Sequence, residues 1–326
     1  MVYPQVRLRR LRKTSKIRNI VREVALTIDD LIYPVFINEG INAPEPIQSM
    51  PGQFRLSMND IVKEAKNISA LRIPAIIIFG IPLKKDDIGT SASDDNGIVQ
   101  RAVSLIKKEL GDELVIITDI CLCQYTSHGH CGIVKANEID NDLSLERLQN
   151  IAVSHAKAGT DIVAPSAMMD GQVAAIRKAL DGEGFTDVSI MSHSAKHRSS
   201  FYSPFRDAAE CAPKFGDRKT YQVPFTNAQE AMREVETDIN EGVDIVMIKP
   251  ALSYLDLIAE TRRRFNIPLA AYSVSGEYAL VKGAASQGWV NEKDIIEEIL
   301  YSIKRAGANM IVTYFAKSAA KFLQES

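Results

Sequence analysis

From Asn227 to Pro250 the chain reads NAQEAMREVETDINEGVDIVMIKP. Its apolar residues first recur at helical spacing over Asn227–Asn240. Gly242 then stops the helix, and Asp244–Lys249 (DIVMIK) runs apolar nearly to its end, as a strand covered on both faces must. The same order of helix, glycine and strand returns at Ala158-Gly159-Thr160 ahead of Asp161–Pro165, and at Ala306-Gly307-Ala308 ahead of Met310–Phe315. Strand-like runs at Leu31–Ile37, Ala75–Ile81, Leu114–Ile120, Ser189–His193 and Leu269–Val274 complete the series. Helices are predicted over Ser57–Ala70, Asn96–Glu109, Ser144–Ala158, Gly171–Leu180, Tyr254–Arg264 and Asn291–Arg305, with cap-like residues such as Ser57 and Ser144. Eight strands alternating with helices predict an α/β fold, a (β/α)8 TIM barrel. The rival is an open doubly wound sheet; the recurrence of one unit favours closure.

The 326 residues are 46% hydrophobic and 25% charged, the composition of a globular rather than a disordered chain. No apolar run approaches the roughly 20 residues that span a bilayer, so no membrane partner is expected. No Gly/Ser/Pro-rich linker divides the sequence. The expected organisation is an N-terminal arm, residues 1–28, and one catalytic barrel domain, residues 29–326. Charge separates the two. Residues 1–22 hold eight basic side chains and no acid, which leaves 31 basic against 41 acidic residues in the rest. A basic arm can bind nucleic acid, but the acidic body would repel phosphate. The arm is therefore read as packing on a neighbouring subunit, with no nucleic-acid partner. Four cysteines, three of them within eleven residues, make a poor disulfide framework and a good metal cluster, which fits a cytoplasmic location.

In a barrel of this kind, catalytic groups sit at the C-terminal strand ends, and the unusual polar residues collect there. Lys249 closes an apolar run. Burial disfavours the charged amine, and a neutral amine can attack a carbonyl to form a Schiff base. Lys196 follows another strand, between His193, His197 and Arg198, whose charges can repel its proton. Two such lysines suggest two carbonyl substrates, or one nucleophile and one electrostatic helper. Asp119 opens the segment DICLCQYTSHGHCG, in which Cys121, Cys123 and Cys131 carry metal-ligand spacing. Thiolates suit zinc, and three of them leave a fourth position open, as in catalytic sites; His128 or His130 can also fill it and make the site structural. A redox pair is the weaker reading, because the spacing is C-x-C. The long segment from Ser199 to Phe225 reads as a lid. Its Arg206 and Arg218 can clamp a carboxylate, and Gln222 lies with them. Cys211, in the same segment, is read as a bystander. Ser275 and Tyr314 lie near the ends of the last two strands.

Several stretches together resemble the porphobilinogen synthase (5-aminolevulinate dehydratase) family, and the match runs over almost the whole chain. They are Asp119–Gly132, Ala164–Val173 (APSAMMDGQV), Ser194–Ala209 (SAKHRSSFYSPFRDAA), Gly216–Gln222 (GDRKTYQ), Met247–Ala251 (MIKPA) and Val274–Tyr278 (VSGEY). The resemblance implies a metal-dependent TIM-barrel lyase, usually octameric, that joins two 5-aminolevulinate molecules into porphobilinogen for tetrapyrrole synthesis. It implies that Lys249 and Lys196 form Schiff bases with the first and second substrate, and that Asp119 assists proton transfer. Arg206, Arg218 and Gln222 would hold one carboxylate, Ser275 and Tyr314 the other. Cys121, Cys123 and Cys131 match the zinc version of the site, and Glu234 falls where many bacterial members bind an allosteric magnesium. Two departures stand out: His197 where tyrosine is common, and Ser203 where glycine is usual. Ser203 bears on lid mobility if that position needs a positive φ. The alternative activity is a class I Schiff-base aldolase acting on a small keto acid.

Overall fold

The arm and the barrel are built differently. In the computed structural model, which describes residues 2–325, a short 3-10 turn (Leu8–Arg12) and the helix Ser15–Ile20 bury no residue at all. Met1 and Ser326, the outer ends of the expected arm and barrel domain, lie outside the described residues. Burial begins at Leu26 and becomes continuous in the first strand.

The barrel strands are β1 (Leu31–Asn38), β2 (Ala75–Ile81), β3 (Val115–Ile120), β4 (Ile162–Pro165), β5 (Ser189–Lys196), β6 (Ile245–Lys249), β7 (Leu269–Ser273) and β8 (Met310–Thr313). Each pairs in parallel with the next, and β8 pairs back with β1 through Leu31↔Ile311 and Ile32↔Val312, which closes the sheet. The open doubly wound sheet is thereby excluded. Outside run α1 (Ile61–Ala70), α2 (Ile98–Leu110), α3 (Asn141–Ala158), α4 (Gln172–Gly182), α5 (Ala228–Asn240), α6 (Leu255–Arg264), α7 (Glu292–Ala306) and α8 (Ala316–Glu325). Ile and Val fill the space between strands and helices, at roughly 1.5–3 kcal/mol per buried side chain.

The recurring helix–Gly–x–Asp unit has a physical cause. At Gly242 φ is +94°, so the chain leaves α5 without the cost a Cβ would impose. The acid that follows then caps the neighbouring strand. Asp244 accepts from Ile190 N at 2.7 Å, Asp161 from Ile116 N at 2.7 Å, and Asn309 from Leu269 N at 3.0 Å. At β4, β6 and β8 the Asp or Asn before the strand thus satisfies an amide of the preceding strand and helps to fix their register.

Two predicted caps act differently. α1 begins at Ile61, four residues later than expected, because Ser57 donates to the Asp60 carboxylate within a turn. α3 begins at Asn141 with Asp140 as its cap; Ser144, one turn in, accepts from Ile133 N at 2.8 Å and ties down the hairpin Ile133–Lys135/Glu138–Asp140. The expected lid also contains order of its own: the 3-10 turn Ser200–Tyr202 and the helix Ser203–Ala208. Ser203 has φ −55° and sits in ordinary helical geometry, so it needs no positive φ.

Candidate active site

β5 is longer than its sequence run suggests. It continues through Ser192-His193-Ser194 to end on Lys196 itself. This places Lys196 directly opposite Lys249: the two are Cα partners in the parallel register of β5 and β6. Residues paired this way project to the same side of a sheet. Both amines therefore enter one end of the barrel interior, with Asp119, Cys123 and Arg218 around the same small, nearly closed space.

Lys249 is 5% exposed, and its surroundings are largely aromatic. Its Nζ lies 4.0 Å from the centre of the Tyr272 ring and 5.4 Å from that of Phe205. Burial, and then the neighbouring Lys196 charge, bring its pKa down to about 7. Much of the amine is therefore neutral near neutral pH, as a nucleophile requires. Lys196 donates from Nζ to the Ser166 carbonyl. The histidines expected to repel its proton do not: burial holds His193 well below the ordinary imidazole value and His197 down at about 4. Neutral rings exert no like-charge repulsion. His197, the departure from tyrosine, instead stacks on Tyr254 at 4.1 Å.

Asp119 accepts from Gln124 Nε2 at 2.9 Å through Oδ2, while its buried Oδ1 has no hydrogen-bond partner. Burial raises its pKa, and Lys196 opposes that rise. Cys121, Cys123 and Cys131 are buried with their sulfurs within 4.8 Å of one another, a group that can hold a metal ion. Hydrogen bonds from Cys121 and Cys123 hold the Cys131 thiol well below its ordinary value. Neither histidine joins them. His130 uses both ring nitrogens, on Tyr221 Oη and the Phe215 carbonyl, each at 3.0 Å. His128 meets the Asp87 carbonyl at 3.2 Å and accepts from His130 N at 3.1 Å. Cys211, read as a bystander, is buried on the Cys123 side of the cluster, which nothing in the linear spacing indicates.

The expected carboxylate clamps are distributed unevenly. Arg218 is buried beside the lysines and donates through Nη2 to the carbonyls of Gly129 (3.0 Å) and Cys211 (2.7 Å). Arg206 stands near it, with Nε buried and unpartnered; burial and the Arg218 charge lower its pKa. Two adjacent guanidiniums of this kind favour an anion between them. Gln222 is also buried with both amide atoms unpartnered, and it borders a second, larger cavity of ≈ 740 Å³. Ser275 Oγ accepts from Phe205 N at 2.9 Å and donates to the Phe201 carbonyl at 3.2 Å, so it holds the lid. Tyr314 Oη meets Tyr272 Oη at 3.2 Å. Glu234, on α5, borders the larger cavity; burial, then Asp170, Asp238 and Glu230, push its pKa up to about 7.

Sequence reasoning missed Glu277. Its buried carboxylate accepts from Leu252 N (2.8 Å), Ala251 N (3.2 Å) and Val274 N (3.0 Å), joining the turn after Lys249 to the start of the helix Ser275–Ser286. A buried glutamate at the third position of a helix is a capping signal that the sequence does offer.

The chain is similar to known proteins along nearly its full length. The family model described as delta-aminolevulinic acid dehydratase matches residues 5–322. The delta-aminolevulinic acid dehydratase of Methanothermus sociabilis is 57% identical over 316 residues, covering 97% of this chain and 98% of that one. That of Bacillus subtilis (strain 168) is 51% identical over 319 residues, 98% of each chain. Among solved structures, the delta-aminolevulinic acid dehydratase (porphobilinogen synthase) of Toxoplasma gondii ME49, in complex with its reaction product porphobilinogen, is 42% identical. It superposes with a TM-score of 0.97 over 100% of this chain and 93% of that one. A family model over residues 5–322, and relatives more than half identical along nearly the full length, place this chain in the delta-aminolevulinic acid dehydratase family.

Proposed function

We propose that this protein is a lyase that condenses two 5-aminolevulinate molecules into porphobilinogen with release of two waters, a step of tetrapyrrole and haem synthesis. The observation that carries the reading is the register pairing of Lys249 with Lys196 beside the thiol cluster. The neutral Lys249 nitrogen bonds to the ketone carbon of the first substrate, and the carbonyl oxygen leaves as water, giving a Schiff base. Lys196 does the same for the second substrate. Held side by side on adjacent strands, the two substrates react without the entropy cost of encounter. Arg206, Arg218 and Gln222 hold the second substrate's carboxylate, Ser275 and Tyr314 the first's, and the free Oδ1 of Asp119 accepts a proton. A class I aldolase needs one such lysine and leaves the other, and the thiols, without a task.

The donor set fits zinc, which would be held by the three buried thiols of Cys121, Cys123 and Cys131, close together in one cluster. When bound, zinc supplies Lewis acidity at the second substrate. The direct test is pyrrole formation from 5-aminolevulinate, followed colorimetrically with and without a zinc chelator. Pyrrole that disappears on chelation and returns with zinc is the expected result. No pyrrole from folded, zinc-loaded protein would return the aldolase reading to first place.

A magnesium ion at Glu234 would relieve its repulsion by the surrounding carboxylates. Glu234→Gln is expected to abolish any stimulation by added magnesium while leaving the magnesium-free rate within about 2-fold; stimulation that persists would move the ion elsewhere. We read residues 1–28 as the oligomerisation arm of a homo-octamer. Val2, Tyr3, Val6, Leu8 and Leu11 are exposed in the single chain and call for a covering surface. Deleting residues 1–22 is expected to shift the assembly to a smaller oligomer in analytical ultracentrifugation; an unchanged sedimentation coefficient would refute the arm's role. Among the described residues no helix is long and apolar enough to cross a membrane. Four unpaired cysteines fit the cytoplasm.

A further inference from the structure

We propose that Cys211 is a fourth, exchangeable thiolate ligand of the metal centre, carried there by the lid, which closes the coordination sphere in the substrate-free enzyme and leaves when substrate enters. The inference rests on the metal-site reading above and extends it.

Three thiolates leave a divalent ion of tetrahedral preference one position short. The histidines that could fill it are committed elsewhere through both ring nitrogens. The remaining cysteine is Cys211, fully buried, with its backbone against Gly129 of the metal loop and its thiol on the side of Cys123. Cys211 stands outside the group of three sulfurs that lie within 4.8 Å of one another, so as a ligand its thiol must move towards them when metal binds.

The backbone at Cys211 is built to deliver that sulfur. Its N–H donates to the Arg206 carbonyl at 3.1 Å, and its own carbonyl accepts from Arg218 Nη2, which also grips Gly129 in the metal loop. Lys214 N donates to the His128 carbonyl at 3.0 Å, a second tie between lid and loop. The approach is so close that a Cβ on Gly129, where φ is +74°, would stand 2.4 Å from the Ala212 carbonyl oxygen. Such a fit is not needed by a thiol that merely fills space.

Coordination by Cys211 releases its proton, and departure takes one up, so exchange is balanced without an oxidant. Four thiolates on a divalent ion leave two negative charges, and the Arg218 guanidinium is adjacent to offset them. Arg206 and Arg218 bracket Cys211 in sequence and are the groups that would engage the incoming carboxylate. Substrate capture would therefore act on the segment that holds the fourth ligand.

The test is cobalt(II)-substituted full-length protein, with sulfur ligands counted by X-ray absorption and by the thiolate-to-cobalt charge-transfer band. Four sulfurs per cobalt are expected without substrate and three after 5-aminolevulinate is added, with the band falling by about a quarter. Cys211→Ser should start at three and stay there, with metal affinity in the absence of substrate lowered by about 10-fold or more. Three sulfurs in the substrate-free parent would overturn the proposal, and that measurement does not depend on whether the variant folds. Cobalt bound without sulfur would overturn the metal-site reading as well.

Discussion

Lys249→Ala is expected to abolish pyrrole formation, lowering kcat by at least about 10⁴-fold, in a protein that still folds and still binds metal. The amine is the atom that would bond to substrate, and nothing else reaches its position, since Lys196 occupies the neighbouring strand. Borohydride reduction in the presence of 5-aminolevulinate should attach substrate mass to Lys249 in the parent and not in the variant. Because burial brings the Lys249 pKa down to about 7, trapping should rise with pH through that value and then level off. Stability follows the same titration with a definite sign. The unfolded lysine keeps its proton up to its ordinary pKa, whereas the folded one gives it up near 7, so the unfolded state binds more protons between the two. The cost of burying this lysine is therefore fully present below about pH 7 and fades as pH rises towards the ordinary lysine value. Lys249→Met keeps the side chain's length and removes the charge. It is expected to be more stable than the parent at pH 7, by on the order of a few kcal/mol, with the gap narrowing at higher pH in denaturant titrations. Substantial turnover by Lys249→Ala would remove Lys249 from the nucleophile's role.

Cys123→Ala is the second large effect. It removes the thiol that touches both Cys121, at 3.4 Å, and Cys211. Metal affinity should fall by more than the 10–100-fold typical of losing an outer partner of a metal ligand, and activity should fall with it. Metal content after dialysis, read beside a thermal melt, separates two outcomes. A folded, metal-poor, inactive protein is expected, because closure of the barrel runs through β1 and β8 and does not involve the 121–131 loop. Collapse of the melt would instead make the thiol cluster a structural clasp.

The strands were legible because both their faces are buried, which leaves unbroken apolar runs: Ala75–Ile81 was placed to the residue. β5 was cut short for the complementary reason. His193 and Ser194 project polar groups into the fold, and no run of Ile and Val marks the strand's true end at Lys196. The helix Ser203–Ala208 was hidden because it is held from afar. Arg55 donates to the carbonyls of Ala208 (2.9 Å) and Asp207 (2.7 Å), across a sequence distance that no local pattern reports. The helix Ser275–Ser286 was missed as well, although its first four residues, Ser275 to Tyr278, belong to the VSGEY motif. At the site, Lys249 was legible because a lysine closing an apolar run has few places to go. Cys211 was not, since its partner lies on a different strand end and only folding brings the lid to it. Gln222 stands with both amide atoms buried at the edge of a second cavity, a setting that its place in the connection does not report.

The pairing of Lys249 with Lys196 has a consequence for how such a chain can change over time. The distance between the two amines is fixed by the hydrogen-bond ladder of two adjoining strands, not by the long connection that separates them in sequence. The backbone of the connection meets the ladder's end at Val223, whose N–H donates to the Lys196 carbonyl at 3.2 Å, so its length elsewhere does not set that distance. A single insertion inside β5 or β6 would swing one amine from the interior to the helix layer. Divergence among relatives should therefore accumulate as length variation in the connection and as substitutions alone within these two strands, which makes the ladder the molecule's own ruler.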